Sequence, residues 1–461
     1  MGSKGCLKEG LRFLEEAREF KERFEAQLSP LEELSPSKPF TYLSIGGGEL
    51  GDLVISAAKR LLGGQKGGIR TVVFDRYDGC PAQDVADSFE GFDMMKGDLL
   101  EAQVRKYIPK PSEPHAIYLE IEKIDTRRMC QLGIKDGYRV MSTPYGPLIC
   151  MDRYLTKLMF DELRIPRLEW AYAESQREIE LIADEFGLPV IVKPIMTSSG
   201  HGTSIVRTQE DLKNAYRHAL EHARGIGDRV IVEKFLEDLK TEGTEITQFV
   251  VRHFDEKGRI VTSVLPPVEH KRPGATYHES WMPATISIKA SERCQESARK
   301  IAEFIGGLGL FAVEQFVLGD EVYNNEVANR PHDTGMVTRW TLNADEGTIQ
   351  LLSTIGLQVT PFDISPSRSG IFGVAHVILA PDFGGKGEGG AEKAVLGWKA
   401  KDVKDFLAKK GYSGEVWYFG KPTAYPHRRM GLAVAFHEKL EEGRRQAEEI
   451  AHYAEGRIIY A

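Results

Sequence analysis

Residues 190–203 read VIVKPIMTSSGHGT and carry the strongest fold signal in the chain. An apolar run typical of a buried strand ends at Lys193 and Pro194, and a loop of small polar residues and glycines follows. Lysine offers a point charge to a phosphate, and small loop residues expose backbone N–H groups that bind anions. The segment is not a Walker A loop, because no Gly-Lys-Ser/Thr opens a helix. It predicts a phosphate-binding loop between two strands, with an ordinary hairpin loop as the alternative.

Upstream, the pattern is strand, glycine turn and helix. Residues 41–45 predict a strand, 46–51 a tight turn, and 52–62 a helix. Further strands at 70–74 and 116–119 predict a parallel α/β sheet. Gly46-x-Gly48-x-x-Gly51, with Asp75 after the next strand, also matches the dinucleotide-binding fingerprint. An NAD-dependent oxidoreductase is therefore a competing class, and a turn without a ligand is another, but the Glu49 carboxylate would repel pyrophosphate at the mouth of the turn.

The rest of the chain alternates between helices and strands. We predict helices at 151–163, 209–223 and 433–454, and strands at 188–192, 203–206, 229–232 and 457–460. Residues 245–266 and 310–328 predict antiparallel strands, and the glycine-rich run 384–390 predicts a surface loop.

Two carboxylates lie on the predicted hairpin at 310–327. A three-residue loop at 319–321 would place Glu314 directly opposite Glu326, and a two-residue loop would shift the register by one. Like charges opposite each other destabilise a ladder, and a lone carboxylate in an apolar strand is costly. A divalent cation would resolve both problems, since Mg²⁺ binds one or two carboxylates together with substrate phosphates. Salt bridges, for instance to Arg330, are the alternative.

Two polar segments follow the hairpin. Residues 329–336 read NRPHDTGM, which predicts a loop that faces substrate. Lys421, Arg428 and Arg429 form a basic trio that would suit a dianionic phosphate, with a solvated basic face as the alternative.

Composition limits the classes of protein to which the chain could belong. Its 461 residues predict about two to four domains, and a net charge of -8 argues against a nucleic-acid binder. No apolar run is long enough for a membrane span. The five scattered cysteines form no C-x-x-C pair, which fits a reducing cytoplasm and argues against a zinc finger or a disulfide framework. Residues 4–25 predict an amphipathic helix, packed on its own domain or on a neighbouring subunit, rather than a signal peptide.

In matching order from about residue 41 to near the C-terminus, the chain resembles the ATP-grasp superfamily and, within it, formate-dependent phosphoribosylglycinamide formyltransferase (formyltransferase 2). The stretches that carry this resemblance are GELG (48–51), DRY (75–77), EIE (120–122), SSGHG (198–202), VE (232–233), EIT (245–247), ESW (279–281), RPHDTGMVT (330–338) and FGKP (419–422) followed by Arg428-Arg429. RPHDTGM is highly specific, whereas the glycine turn alone is weak.

The resemblance implies an α/β and α+β ATP-grasp fold. It would comprise a helical extension and linker (1–39), a Rossmann-like parallel-sheet domain (40–150), a small lid (151–232) and a larger mixed-sheet C-terminal domain (233–461). A homodimer in the cytoplasm is also implied.

The resemblance also implies a role for individual residues. Those expected to bind ATP are Arg153, Lys193, Ser198, Ser199, Gly200, His201, Gly202, Thr203, Glu233, Lys234, Phe235, Leu236 and Glu245. Those expected to bind the ribonucleotide amine are Glu49, Leu50, Glu120, Asp333, Lys421, Arg428 and Arg429. Glu314 and Glu326 would bind Mg²⁺, and Lys193, Arg330 and Asp333 would act in catalysis.

The implied activity is ATP-dependent formylation of glycinamide ribonucleotide through formyl phosphate, in purine synthesis. Several positions depart from the family pattern. His201 stands where the family has lysine, residues 326–330 read EVANR in place of Glu-Val-Ser-Pro-Arg, and residues 269–276 lack the usual Gly, Gln and Asp. The alternatives are another phosphorylated amine, bicarbonate in place of formate, or a non-catalytic nucleotide-binding relative.

Overall fold

The chain begins with a long helix that packs on the rest of the molecule. The structure is a computed structural model and describes residues 4–196, 202–223, 229–273, 276–384 and 391–461. Helix α1 (Lys4–Glu25) confirms the predicted amphipathic helix. Its buried face carries Leu14 and Phe24, while Leu11 remains 43% exposed. At its C-terminal end, the Glu25 carboxylate accepts hydrogen bonds from the Gly307 amide (2.7 Å) and from Arg252 (2.7 Å). The helix therefore packs on its own chain.

A five-stranded parallel sheet with the order β3-β2-β1-β4-β5 follows. Its elements, with a 3₁₀ turn at Gly64–Gly67, are β1 (Phe40–Ile45), α2 (Glu49–Leu62), β2 (Ile69–Asp75), β3 (Ser88–Gly91), α3 (Gly97–Tyr107), β4 (His115–Leu119), α4 (Thr126–Asp136) and β5 (Val140–Met141). The predicted parallel sheet is confirmed. From the central strand β1 the chain moves to β2 on one side and to β4 on the other. The carboxyl end of β1 is therefore the switch point at which ligands bind in open parallel sheets.

Helix α2 begins earlier than predicted. Gly48 is its N-cap, so Glu49 and Leu50 lie in its first turn rather than in a loop. A carboxylate is favoured there because unpaired backbone N–H groups give a helix N-terminus positive character. The prediction missed β3 and β5, which have only four and two residues and give little periodic signal.

Two short helices lead to a four-stranded antiparallel sheet with the order β6-β9-β7-β8. The elements are α5 (Gly146–Met151), α6 (Arg153–Glu162), β6 (Trp170–Ala173), α7 (Gln176–Phe186), β7 (Val190–Pro194), β8 (Ser204–Val206), α8 (Gln209–Glu221) and β9 (Val230–Lys234). The single helix predicted at 151–163 is wrong at its start. The chain breaks at Asp152, whose side chain caps α6 by accepting from the Leu155 amide at 3.1 Å.

The remaining residues build a nine-stranded sheet and a three-stranded sheet. The large sheet has the order β15-β14-β10-β12-β13-β16-β20-β18, with β11 on β10, and the small one has the order β19-β17-β21. The strands are β10 (Thr244–Phe254), β11 (Ile260–Val264), β12 (Val268–Lys271), β13 (Glu279–Met282), β14 (Gly309–Leu318), β15 (Glu321–Ala328), β16 (Phe372–Leu379), β17 (Lys393–Trp398), β18 (Gly414–Tyr418), β19 (Thr423–Ala424), β20 (Arg429–His437) and β21 (Ile458–Tyr460). The helices are α9 (Glu237–Thr241), α10 (Ile288–Ile305), α11 (Thr338–Thr341), α12 (Glu346–Ile355), α13 (Ala400–Lys410) and α14 (Leu440–Glu455), with a 3₁₀ turn at Asp333–Val337.

The helix predicted at 433–454 is wrong at its start, because residues 429–437 form β20 and helix α14 begins only at Leu440. Most of β20 is buried, so its apolar run shows no alternation, and periodicity does not separate such a strand from a buried helix. The antiparallel strands within 245–266 and 310–328 are confirmed. Most of the glycine-rich loop predicted at 384–390 lies outside the described residues.

The parallel sheet and the large sheet are joined by helices α2 and α12. Gly347 in the first turn of α12 lies against Leu53 and Val54 of α2, where a Cβ would come within 2.5 Å of the Leu53 side chain. This close contact holds the carboxyl end of β1 next to strands β10 and β14, so both sheets line one cavity. In the part of the chain that is described, we find no helix with the length and apolar character to cross a membrane.

Leu14→Ala should lower the free energy of unfolding by about 2–5 kcal/mol, because the Leu14 side chain is fully buried between α1 and the rest of the chain. The matched variant Leu11→Ala removes the same atoms from an exposed position of the same helix and should change it by about 0.5 kcal/mol or less. Urea unfolding of both variants measures the difference. Equal losses would contradict the observed packing of α1.

Candidate active site

One cavity of about 570 Å³ lies between the carboxyl end of the parallel sheet, strand β7 and the hairpin β14–β15. It brings together most of the residues singled out from the sequence. Those that line it are Glu49, Leu50, Glu120, Arg153, Lys193, Thr203, Glu245, Glu314, Glu326, Arg330, Asp333, Lys421, Arg428 and Arg429.

The other predicted site residues lie elsewhere. Glu233 is buried at the base of the cavity, where it pairs with Lys193. Gly202, Lys234, Phe235 and Leu236 do not line the cavity. Ser198, Ser199, Gly200 and His201 lie outside the described residues.

Glu314 and Glu326 are directly opposite each other in the β14–β15 ladder. The turn is the two-residue alternative, since Leu318 pairs with Glu321, and that register alone would set Glu314 opposite Asn325. A β-bulge after Glu314 leaves Asn325 as the extra residue and restores the pairing of the two carboxylates. Bulges often re-aim side chains next to active sites, and this one brings two acidic groups to one wall of the cavity.

Arginines from other elements neutralise this pair of carboxylates. Arg272 contacts Glu314 at 2.5 Å, and Arg153 contacts Glu326 at 2.9 Å. His332 Nε2 lies 3.0 Å from the other Glu314 oxygen. Burial would raise the pKa of Glu314, but Arg272 and His332 hold that pKa well below its ordinary value. Glu314 is therefore available as a carboxylate ligand.

The donor set fits a hard divalent cation such as Mg²⁺. Two opposed carboxylates supply oxygen ligands, and Mg²⁺ usually takes its remaining ligands from substrate phosphates and water. Among the described residues, no group of three or more His, Cys, Asp or Glu side chains is arranged to hold a metal by itself. The site therefore suits a cation that arrives with a phosphate ligand.

Two lysines share one buried carboxylate at the β7 side of the cavity. Glu233 forms ion pairs with both Lys193 and Lys157, and Lys157 is only 2% exposed. Burial would raise the pKa of Glu233, but the two lysines lower it to about 2. The bulge residue Asn325 accepts from Lys193 through its side chain (3.2 Å) and from Lys157 through its carbonyl (3.1 Å). The bulge thus positions the lysines as well as the carboxylates.

The opposite end of the cavity is rich in cations. Lys421 contacts Glu49 at 2.9 Å, and Arg429 forms an ion pair with Asp333. Burial would raise the pKa of Asp333, but Arg429 holds it at about 2. Arg428 donates to the Thr423 carbonyl (2.8 Å) and to the Tyr77 hydroxyl (3.3 Å), neither of which is charged. Among these five charged residues, Lys421 and Arg429 are paired with carboxylates, whereas the recorded partners of Arg428 are neutral.

The glycine turn packs against a protein carboxylate. A Cβ at Gly46 would overlap the Glu120 side chain, and the Gly47 amide donates to Asp75 at 2.8 Å. The glycine turn and Asp75, the two features of the dinucleotide fingerprint, therefore contact other parts of the protein. These contacts count against the oxidoreductase hypothesis. Glu120 is 6% exposed, and its Oε2 has no hydrogen-bond partner among the described residues. Burial, together with nearby Glu49, raises the pKa of Glu120 to about 8.

Several residues at the cavity went unassigned in the sequence. Lys157 lies one turn after Arg153 on α6, and this spacing could have suggested a shared face. Glu122, in the EIE stretch, had no predicted role, and it forms an ion pair with Arg330. Arg272 and Asn325 carried no usable signal, because an ion pair across strands and a bulge both depend on tertiary contacts.

Comparison with known proteins gives a consistent result. Residues 158–346 match a family model described as "ATP-grasp domain", and residues 401–453 match one described as "PurT, C-terminal". A formate-dependent phosphoribosylglycinamide formyltransferase from Sulfurisphaera tokodaii is 36% identical over 413 residues, which cover 89% of this chain and 95% of that relative.

Solved structures share the fold. N5-carboxyaminoimidazole ribonucleotide synthetase from Thermotoga maritima superposes with a TM-score of 0.69 at 23% identity, covering 92% of this chain and 99% of that one. Glycinamide-RNase-transformylase T from Mycobacterium tuberculosis gives a TM-score of 0.67 at 22% identity, covering 90% and 99%.

Glu120→Gln should change how stability depends on pH. Because the pKa of Glu120 is raised to about 8, the native state keeps a proton that the unfolded chain loses near its ordinary pKa of 4.5. This contribution to stability is complete below pH 4.5 and is lost as pH rises through 8. The variant stays neutral, so relative to wild type it should gain up to about 4 kcal/mol between pH 5 and pH 9.

Urea unfolding at a series of pH values measures this difference. The control, Glu415→Gln, makes the same change at an exposed position of β18 and should run parallel to wild type throughout. A Glu120→Gln curve that also stays parallel to wild type would show that Glu120 titrates normally.

Proposed function

This chain belongs to the family of formate-dependent phosphoribosylglycinamide formyltransferases, within the ATP-grasp superfamily, and on that basis we propose that it formylates glycinamide ribonucleotide. The reaction uses ATP and formate, passes through formyl phosphate, and releases ADP and phosphate. Its place would be in purine biosynthesis. We further propose a cytoplasmic homodimer, on the cysteine usage and on the family resemblance.

The observation that carries the proposal is the polarity of the cavity. One end holds two opposed carboxylates beside Lys193, and the other end holds the positive cluster of Lys421, Arg428 and Arg429. A metal-bound triphosphate suits the first end, and the dianionic phosphate of a ribonucleotide suits the second. A phosphorylated carboxylate made at the first end would then meet the amine of a substrate anchored at the second.

We assign the nucleotide to the strand β7 side. Lys193 and Arg153, which line the cavity, would contact its phosphates, and Glu245, which also lines it, would contact the nucleoside. The family resemblance adds the loop of residues 198–203, part of which lies outside the described residues, and Glu233 to Leu236, which are not part of the cavity wall. Glu314 and Glu326 would carry Mg²⁺, which would offset the negative charge of the transferring γ-phosphoryl group. Glu49, Leu50, Glu120 and Asp333 would hold the ribosyl amine.

The chemistry explains why ATP is needed. Formate is a poor acyl donor, because its oxygen is a poor leaving group. A formate oxygen bonds to the γ-phosphorus while the bond to ADP breaks, which gives formyl phosphate. The amine nitrogen then bonds to the formyl carbon, phosphate leaves, and the nitrogen loses a proton. We propose that Lys193 and Arg330 stabilise the transferring oxyanions and that Asp333, held as a carboxylate by Arg429, orients the amine.

Formyl phosphate reacts with water, so the site needs a cover. We propose that the lid predicted at residues 151–232 extends to Lys234, because strand β9 ends there. Closing of this lid over the hairpin β14–β15 would exclude water from the intermediate.

A second candidate keeps the ATP-grasp chemistry and uses bicarbonate. It is favoured by the fold shared with N5-carboxyaminoimidazole ribonucleotide synthetase and by departures from the family pattern at positions that line the cavity, such as Ala328 and Asn329. Both candidates share the metal and nucleotide residues, so only the choice of substrate separates them.

An ADP-release assay with purified protein separates the two candidates. Formate, acetate and bicarbonate are each paired with glycinamide ribonucleotide and with aminoimidazole ribonucleotide. We expect turnover with formate and glycinamide ribonucleotide only. Turnover with bicarbonate and aminoimidazole ribonucleotide would replace the first candidate with the second. ADP release without any carboxylate would reduce the chain to an ATPase.

Arg428→Ala in the same assay tests the amine end. Loss of a charge-assisted contact to phosphate should raise the KM for the ribonucleotide amine about ten- to hundredfold, with the KM for ATP unchanged. The control, Arg259→Ala, removes an exposed arginine that pairs with Asp255 on a distant hairpin. An unchanged KM for the amine in Arg428→Ala would place its phosphate elsewhere.

A further inference from the structure

Arg272 is a cavity cation to which neither the sequence pattern nor the family resemblance gives a role. It follows β12, in the segment 269–276 where the chain departs from the family pattern. Its guanidinium contacts Glu314 through Nη2 at 2.5 Å, and its Nε lies 3.4 Å from Glu245. Within the described part of the chain, that buried Nε has no hydrogen-bond partner. Arg272 therefore keeps an unused donor while it neutralises a predicted metal ligand.

Five cavity cations, Arg272 among them, fall into two groups according to the carboxylate that each one contacts. Lys193 pairs with Glu233, Arg330 with Glu122, and Lys421 with Glu49. None of these three carboxylates belongs to the opposed pair on the hairpin, so these ion pairs persist when a metal binds.

Arg272 and Arg153 form the second group, because their partners are Glu314 and Glu326. Arg153 is also anchored by a hydrogen bond to the Pro194 carbonyl at 3.0 Å. Arg272 has no such anchor among the contacts that the structure describes. When Glu314 becomes a metal ligand, Arg272 loses its 2.5 Å contact and keeps only the longer ion pair with Glu245 at 3.4 Å.

A charge that is largely buried is costly without a partner. The Arg272 side chain is 21% exposed, so solvent does not fully replace Glu314. The anions that arrive with the metal are the γ-phosphoryl group and the carboxylate that attacks it. A guanidinium with several donors in a fixed plane suits either of these oxyanions.

We propose that Arg272 is a substrate-binding residue that neutralises Glu314 in the resting enzyme and, once the metal takes Glu314, binds a small oxyanion at the metal end of the cavity. This rests on the proposed function. The oxyanion is the carboxylate of formate or the γ-phosphoryl group of ATP, and the two arms of the kinetic test distinguish them.

We predict that Arg272→Gln strengthens Mg²⁺ binding and impairs turnover. Removing a cation that competes for Glu314 should tighten Mg²⁺ binding in the presence of ADP, by about threefold or more, as measured by isothermal titration calorimetry. Removing an oxyanion contact should also impair turnover. If formate is the ligand, its KM rises about ten- to hundredfold with the affinity for ATP unchanged. If the γ-phosphoryl group is the ligand, kcat falls and the affinity for ATP weakens while the KM for formate is unchanged.

Two further variants make the test specific. Lys271→Gln removes the neighbouring exposed cation at the end of β12 and should leave both readouts at wild-type values. Arg272→Lys keeps the charge without the planar fork, so metal binding should stay close to wild type while turnover is only partly recovered.

Either of two results would overturn the proposal. One is weaker or unchanged Mg²⁺ binding in Arg272→Gln, and the other is wild-type kinetics for formate and ATP in that variant. If wild type and Lys271→Gln both lack formate-dependent turnover, the proposed function fails instead. The calorimetric comparison then still decides whether Arg272 competes for Glu314.

Discussion

Two like charges held side by side in an antiparallel ladder are the constraint on which this site depends. Glu314 and Glu326 would repel each other, and their strands pack into an apolar core on either side of them. The fold meets this cost with Arg272 and Arg153, which reach the pair from two other segments of the chain. The arrangement is stable without a metal and yet offers two carboxylates to one. We propose that Glu314 exchanges Arg272 for a metal and the anions that arrive with it.

The same principle extends along the whole cavity. Glu233, Glu49 and Asp333 each pair with a cation from a different part of the chain, so charge is balanced locally while the cations still face the cavity. Such pre-arranged charges need little reorganisation when a charged substrate binds. The bulge at Asn325 links this network to the backbone, because a single extra residue sets both the carboxylate register and the lysine positions. The contact of Gly347 in α12 with α2 brings the end of the cavity that holds Lys421, Arg428 and Arg429 into the same space.

The sequence predicted elements whose periodicity is local. The parallel sheet, the helix α1 and the carboxylate hairpin all follow from spacing and turn residues. Sequence patterns failed to predict those features of the fold that tertiary contacts determine. The helix predicted at 433–454 wrongly includes residues 433–437 of strand β20, because burial removes the alternation of that strand. The Glu314–Glu326 pairing was expected from a three-residue loop but arises from a two-residue loop and a bulge. Arg272 gave no signal, and the spacing of Lys157 from Arg153 indicates only a shared helix face, since only the folded chain places a buried carboxylate beside each of them.

We propose that Glu314 and Glu326 bind a metal-bound nucleotide and that Glu314 then gives up its contact with Arg272. A crystal structure of the protein with Mg²⁺ and a non-hydrolysable ATP analogue tests it directly. We predict that carboxylate oxygens of both Glu314 and Glu326 ligate Mg²⁺ bound to the triphosphate, and that the Arg272 guanidinium has moved off Glu314 and onto an oxyanion. A nucleotide bound elsewhere, with the Arg272–Glu314 contact intact, would contradict it.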